Sequence, residues 1–492
     1  LLLAGRALSL GLNLLVQVAT VRVLSKEGYG VFAYALSIAA IAEGVIGLGL
    51  PRAVARFVPI FDEGRDRSRV LGTIVLALAA TLGGGCAVVL LVVGLRGSLA
   101  GALGGDPAAV AALAVLSLLA PLQGFDRLFL ELFAVFGTAR AIFLRRFVAG
   151  PLLRLGAVLV LAARGGGPVA LAWGYVVAGL IGMGLYATML LRLLRERGLA
   201  SRAAWASMKV PARDIFAFAL PLLSTELVLV GIQQVDAVML GQIVGAEAVA
   251  SLRAVAPVAR LNQTVLDIFG ILFTPLAARM FLRGDHAGVN RLHWSATTWI
   301  AVLGFPVFAA TFCLARPITS LLFGARYTGS GEILAILSLA YYVHAAMGPT
   351  GLTLGVYKLV RYSVAVNLAA FALHVAGNLL LIPVWGAKGA AIATTVTLLV
   401  HGVLKQLGLA RTGGVRGFDP AARPLLAVGG GVALLVAVEL AWKPGLAASA
   451  GVAAAATILV LARTRRALDV EGAFPEVLRF PGVRRFLGVP PN

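Results

Sequence analysis

Stretches of about twenty consecutive apolar residues recur from one end of this chain to the other. A helix needs a run of that length to cross a bilayer, where the backbone has only itself as a hydrogen-bond partner. Spans are expected at about 3–23, 29–50, 70–94, 110–135, 142–163, 169–191, 215–240, 247–274, 294–315, 331–354, 363–383, 388–408, 424–442 and 446–462. Over 492 residues, 60% are hydrophobic and 13% charged, which excludes a soluble domain and a disordered chain. The expected fold class is all-α, a polytopic membrane protein of about 14 transmembrane helices. Cys86 and Cys313 are the only cysteines; both lie in apolar runs and read as buried thiols without a disulfide or metal role.

A net charge of +21 would suggest a nucleic-acid partner in a soluble protein, but the placement of the charge argues against one. Alternate connections between spans differ sharply. One set, from Arg52, Arg56, Arg65, Arg67 and Arg69 through the linker after span 6 to the tail after residue 462, holds 28 Lys and Arg. The other set holds seven: Lys26, Arg96, Arg164, Arg316, Arg326, Lys388 and Lys443. Positive connections stay in the cytoplasm, so the expected location is the cytoplasmic (inner) cell membrane, multi-pass, with both termini cytoplasmic. The charge then serves topology and attraction to anionic membrane lipids, and no nucleic acid is expected. The sequence starts at Leu1 instead of Met, so a short native N-terminal segment is expected to precede it. Arg6 interrupts the first apolar run and no small-residue cleavage site follows, which argues against a cleavable signal.

No outer connection exceeds about 15 residues, which leaves no room for a soluble catalytic domain, and the chain is not expected to be an enzyme. The longest inner connection, Arg192 to Asp214, falls near the midpoint of the first twelve spans. It suggests an N-terminal lobe (1–200), a basic linker (201–214) and a C-terminal lobe (215–408) of six spans each. Spans 13 and 14 (424–462) form an appendage, and 463–492 is a basic amphipathic tail suited to the inner leaflet. A weak repeat supports the split. Glu27 and Glu247 each precede a returning helix, and Pro51 with Arg56 matches Pro275 with Arg279 at its inner end. Transporters often consist of such repeats.

A charge at mid-bilayer costs at least about 2.5–3.5 kcal/mol, so intramembrane polar residues face a protein interior or water. In span 1, Arg6, Ser9, Asn13, Gln17 and Thr20 form one helical stripe. Span 7 carries Glu226, Gln233, Gln234 and Asp236; span 8 carries Arg253, Arg260 and Asp267 at intervals of seven. Asn367, His374 and Asn378 share a face of span 11, and Thr394, Thr397 and His401 lie on span 12. The stripes fit a hydrated cavity lined by spans 1, 2, 7 and 8; dry hydrogen bonding between helices is the alternative. In span 4, Arg127 and Glu131 are spaced to neutralise one another, with Asp126 or Glu43 as candidate partners for Arg154 of span 5.

Arg6, Arg22, Arg52, Arg56, Arg253 and Arg260 lie on the hairpins assigned to the cavity, and guanidinium forks suit bidentate capture of phosphate. Asp236, Asp267 and Glu226 are candidates for ion coupling, or simple partners for the arginines. The five histidines make no metal motif, and His286 and His293 read as solvated in an inner loop. No phosphate-loop motif is present, so neither a cofactor, a metal nor a catalytic residue is expected.

The segment 21–37 (Val-Arg-Val-Leu-Ser-Lys-Glu-Gly-Tyr-Gly-Val-Phe-Ala-Tyr-Ala-Leu-Ser) and Gly47-Leu-Gly-Leu-Pro-Arg-Ala-Val-Ala-Arg-Phe57 resemble the opening of Wzx-like polysaccharide-exporting flippases. Asp236-Ala-Val-Met-Leu-Gly241 is similar to a span 7 signature shared with multidrug-and-toxin extruders of the same superfamily, the MOP (multidrug/oligosaccharidyl-lipid/polysaccharide) exporters. Of the arginine-rich first span of the related lipid II flippases, only Arg6 and Arg22 have a match. The resemblance implies a V-shaped, alternating-access exporter of two six-helix lobes. Its cargo would be a polyprenyl-pyrophosphate-linked oligosaccharide, moved from the inner to the outer leaflet, with polymerase and glycosyltransferase machinery as partners. Arg52, Arg56, Arg253 and Arg260 would then hold the pyrophosphate, while Arg6, Asn13, Gln17, Gln233 and Gln234 would meet sugar hydroxyls. A cation-coupled drug extruder and an integral glycan-transferring enzyme are the rival readings. Neutralising Arg253 and Arg260 together should abolish export, read as surface polysaccharide, with the protein still inserted in the membrane.

Overall fold

A computed structural model of the chain describes residues 2–95, 97, 107–411, 415, 422–442 and 445–465. Leu1, the tail from 466 onward and the side chain of Arg6 lie outside the described residues. Among the described residues there is helix and no strand. Twelve helices among the described residues are long and apolar enough to cross a membrane. The one at Val360–Arg411 has 52 residues, about 78 Å at 1.5 Å per residue, too long for one crossing. It breaks at Gly386, whose φ of 55° is left-handed. His374 with Thr397, Asn367 with His401 and Tyr362 with the Leu404 carbonyl then pair across two antiparallel arms. With the shorter apolar helix Leu8–Val23, every expected span falls on a helix.

The chain divides into two compact units: Leu1–Ala254 with Val375–Ala390, and Val255–His374 with Ala391–Asn492. The first unit contains α1 (Leu2–Val23), α2 (Lys26–Ile46), α3 (Leu50–Glu63), α4 (Arg67–Gly94), α5 (Pro107–Ser117), α6 (Leu119–Val135) and the short α7 (Ala139–Ile142). A π-helical turn, Phe143–Ala149, leads into α8 (Gly150–Arg164), followed by α9 (Pro168–Glu196), α10 (Arg202–Ala206) and α11 (Ala212–Ile243). Short-range chemistry sets the starts of two of these helices. Ser25 accepts the Gly28 N–H at the start of α2, and Asp66 accepts the Arg69 N–H at the start of α4. The Arg69 N–H and the Ser68 hydroxyl together hold the Asp66 carboxyl below its ordinary range.

α2 and α11 pack antiparallel along their length, and small residues permit it. A Cβ on Gly44 would meet Val230, one on Gly49 would collide with the Ala219 carbonyl, and one on Gly241 would collide with the Tyr34 ring. At one end of the unit, Lys26 pairs with Glu247 at 3.5 Å, joining the two hairpin connections poor in positive charge. At the other, Arg197 pairs with Asp62 at 3.2 Å and the Lys209 N–H donates to the Ser68 carbonyl. The basic connections of this unit therefore gather at one end, as their alternation predicts.

α12 (Ala246–Ala259) divides between the units at Val255, and the second unit continues with a 3-10 turn Arg260–Gln263 and α13 (Thr264–Leu282). It continues with α14 (His286–Cys313), α15 (Ala315–Phe323), α16 (Ser330–Ala346), α17 (Thr350–Val356) and α18 (Val360–Arg411), whose tip groups with the first unit. It ends with α19 (Pro424–Ala441) and α20 (Leu446–Thr464). Phe308 and Tyr342 stack at its core with centroids 4.5 Å apart, and Phe305 meets both rings edge-on. Val428, Leu435 and Val460 close on this cluster, so spans 13 and 14 contribute to the core of their unit.

Two expectations need correction. Cys86 is exposed, on a stretch of α4 whose neighbours are largely exposed too, whereas Cys313 is buried as expected. His293 is fully buried, because α14 starts at His286 and carries residue 293 two turns into the helix bundle, where Nδ1 meets Thr353 Oγ1 at 2.9 Å.

A Cβ on Gly30 would collide with the Ala246 carbonyl. Gly30→Val should therefore destabilise the protein by about 1–3 kcal/mol in detergent thermal unfolding. Gly83→Val, where nothing lies within 4 Å, should stay within about 0.5 kcal/mol of the parent.

Candidate functional site

Span 2 breaks where its sequence carries three glycines in six residues. Leu48 and Gly49 take left-handed φ values of 46° and 69°, ending α2, and Pro51 restarts the chain in the first turn of α3. The new helix buries Leu50, Ala53, Val54 and Val58 and leaves Arg52 and Arg56 on its exposed side. Arg52 thereby enters a cavity of about 350 Å³ within the first unit. The wall combines Gly44, Gly47, Gly49 and Gly124 with three glutamates (Glu43, Glu131, Glu226) and three arginines (Arg52, Arg127, Arg146).

The charges form a linked chain. Arg52 Nη2 donates to Glu226 Oε1 at 3.0 Å, and Arg127 Nη1 lies 3.8 Å from Glu226 Oε2. Arg127 Nε is 2.6 Å from Glu43 Oε1, whose side chain is only 7% exposed. Both arginine side chains remain 45–46% exposed, which leaves them accessible to a ligand. Glu131 lies within electrostatic reach of Arg146, Arg52 and Glu226. Such a wall can exchange an internal anion for an external one without leaving a guanidinium uncompensated.

A second layer holds the wall in place. Arg145 Nη2 pairs with Asp126 Oδ2 at 2.6 Å, beneath the Tyr186 ring. Gly150 and Gly182 make room for it, since a Cβ at either would collide with the Arg145 guanidinium. Adjacent residues thus serve opposite faces: Asp126 and Arg145 point into the packed interior, Arg127 and Arg146 into the cavity. The π-helical turn containing Arg145 and Arg146 is a local register change of a kind frequent at functional sites. One expectation fails here and another holds in part. Arg127 pairs across to α2 and α11 instead of along its own helix with Glu131, because the longer reach gives it two carboxylates. Arg154 lies within electrostatic reach of Asp126, but the close ion pair on that carboxylate is Arg145, and Arg154 Nε donates to its own helix at Gly150 O (3.4 Å).

Of the remaining sequence candidates, several meet at a different place in the first unit. Arg253 Nη2 donates to the Gln233 carbonyl (3.1 Å) and Gln234 Oε1 (2.7 Å), and lies 3.4 Å from Asp236 Oδ1. Gln17 Nε2 donates to Tyr29 Oη at 2.7 Å and to the Arg253 carbonyl at 3.1 Å. This is a polar clasp between helices, with the Arg253 side chain 14% exposed. Asn13 donates back to Ser9, and Arg56 stacks over Phe218 at 4.5 Å. In the second unit, Arg260 Nε donates to Tyr341 Oη at 3.3 Å, and Asp267 is exposed in the first turn of α13. Arg52 and Glu226 are thus the candidates that line the cavity. In the sequence, Arg127, Glu131 and Glu43 read as ion-pair partners within spans and not as site residues, and Arg146 adds only to the positive charge of an inner connection.

A multi-pass helical membrane protein with a charged, glycine-lined cavity has the architecture of a transporter. The chain belongs to the polysaccharide biosynthesis protein family, which it matches over residues 1–281. Its fold is that of the MOP superfamily. It is similar to the lipid II flippase MurJ in an inward closed conformation, at 12% identity and a TM-score of 0.69, covering 94% of this chain and 98% of that one. A multidrug resistance MATE family transporter of the MOP superfamily is similar in its inward-facing conformation, at 16% identity and a TM-score of 0.66, over 83% of this chain and 96% of that one. At these identities the likeness is one of fold. No curated protein matches the chain.

Arg127→Gln would leave the buried Glu43 carboxylate without its 2.6 Å partner, at an expected cost of about 3–5 kcal/mol in thermal unfolding. The exposed pair of Arg316 and Glu332, 57% and 44% accessible, gives the contrast: Arg316→Gln should cost less than about 1 kcal/mol.

Proposed function

We propose that this protein is a flippase that carries a polyprenyl-pyrophosphate-linked oligosaccharide from the inner to the outer leaflet of the cytoplasmic membrane. The observation that carries the reading is the cavity wall, where half-exposed Arg52 and Arg127 and exposed Arg146 face a space of about 350 Å³. Planar guanidinium forks suit the oxygens of a diphosphate, and membership of a polysaccharide biosynthesis family supports a glycan cargo. Arg52 holds the diphosphate with Arg127 and Arg146. Arg253, clasped by Gln234 and Asp236, acts in closing one end of the unit, and Gln17 and Gln233 act with it. Arg56 and Arg260 sit on aromatic partners from which they can be drawn toward cargo. The two six-span lobes on either side of the 201–214 linker, cytoplasmic termini and alternating access belong to the same reading. So do coupling through Glu226, Asp236 or Asp267 and partnership with glycan-polymerising machinery.

A cation-coupled drug extruder is the second reading, favoured by the three glutamates that share the cavity. Under it, Glu226→Gln would raise drug sensitivity and leave surface polysaccharide normal. The direct test is reconstitution in liposomes with a labelled lipid-linked oligosaccharide. The wild-type protein should move label between leaflets, and Arg52→Gln and Arg146→Gln should each slow it about tenfold, the loss of one charge-assisted hydrogen bond. Equal rates in all three proteins would refute the assignment.

A further inference from the structure

Among the described residues, Glu226 is the carboxylate that bridges arginines of two different helices, Arg52 on α3 through Oε1 and Arg127 on α6 through Oε2. Its geometry imitates a phosphate, with two oxygens of one planar anion, each presented to a separate guanidinium. The two acids on Arg127 are not equivalent. Glu43 is buried and holds Nε at 2.6 Å, a fixed anchor. Glu226 is three times as exposed, at 24%, and its contacts are longer, 3.0 and 3.8 Å. It is the replaceable one.

We propose that Glu226 is a built-in counter-anion that keeps Arg52 and Arg127 aligned at the position taken by the phosphate oxygens of anionic cargo, and that cargo binds by displacing it. This rests on the reading of the cavity as a diphosphate site. The charged groups facing that position are Glu43 on α2, Arg52 on α3, Arg127 and Glu131 on α6, Arg146 on the π-helical turn and Glu226 on α11. They carry three positive and three negative charges. Asp126, also within reach of Glu43, is engaged by Arg145. Diphosphate adds further negative charge and takes the guanidinium edges, leaving the displaced carboxylate beside Glu43 and Glu131. The displaced carboxylate and the incoming anion compete for the same two guanidinium groups, so removing the carboxylate strengthens the hold on the cargo.

The experiment is calorimetric titration of the purified protein in detergent with inorganic pyrophosphate. Glu226→Gln removes the competing anion, so it should bind pyrophosphate about tenfold tighter, a change of about 1.4 kcal/mol. Glu226→Asp keeps the charge but is too short to bridge both arginines; it should tighten binding by a smaller factor. Unchanged or weaker affinity in Glu226→Gln would overturn the counter-anion role, while binding that is lost in Arg52→Gln upholds the diphosphate site. Absence of pyrophosphate binding in wild type and variants alike would overturn both. Should Glu226→Gln fail to fold, Glu226→Asp decides: affinity no tighter than wild type overturns the proposal.

Discussion

Charge burial in a low-dielectric medium is the constraint around which the first unit is organised. A guanidinium or carboxylate inside a bilayer must find an opposite charge or water, and a helix that crosses in about 30 Å offers few places to put one. The chain answers with two layers of ion pairs. Asp126 and Arg145 pair within the packed interior, and Glu43, Arg127, Glu226 and Arg52 link up at the cavity wall. The inner layer is a single close pair, Arg145 Nη2 on Asp126 Oδ2 at 2.6 Å, with the arginine side chain 9% exposed. The outer layer keeps guanidinium surface exposed, and that difference separates a structural charge from one that can meet a ligand.

Glycine and helix irregularity make the arrangement possible. The break at Leu48 and Gly49 turns the chain so that Arg52 faces the cavity, and the π-helical turn at Phe143–Ala149 lets neighbouring arginines serve opposite faces. Gly150 and Gly182 give the Arg145 guanidinium its space, Gly44 and Gly241 let α2 and α11 approach closely, and Gly30 and Gly49 lie against the Ala246 and Ala219 carbonyls. Side chains at these positions would force apart the helices that carry the charges. The glycine content is thus tied to electrostatics as much as to packing.

The same logic separates the arginines that the sequence presents as equivalent. Arg52, Arg56, Arg253 and Arg260 all lie on leading hairpins, yet each has a different environment: a glutamate at a cavity, a phenylalanine face, a closed polar clasp and a tyrosine. Spacing along a helix gives the face on which a residue lies. It does not give the partner opposite that face, which is why Arg127 could be assigned to Glu131, four residues along, while its carboxylates lie on α2 and α11. Of the two carboxylates that the sequence offers Arg154, Asp126 lies within its electrostatic reach, yet the close contact on Asp126 comes from Arg145.

Local sequence alone determined where the helices run, because apolar length, caps such as Ser25 and Asp66, and breakers such as Gly386 act within a few residues. It also determined which connections collect positive charge, an effect that depends on loop composition and not on packing. The Asn367 and His401 faces of spans 11 and 12 were legible too, since helical periodicity placed each on one side. Tertiary structure decided what lies opposite each of those sides. It put Cys86 on an exposed surface, carried His293 into the interior and chose Glu226 as the anion shared by Arg52 and Arg127. Those outcomes depend on contacts between residues as much as 174 positions apart along the chain, from 52 to 226, and short-range patterns carry no information about which distant carboxylate reaches a given guanidinium first.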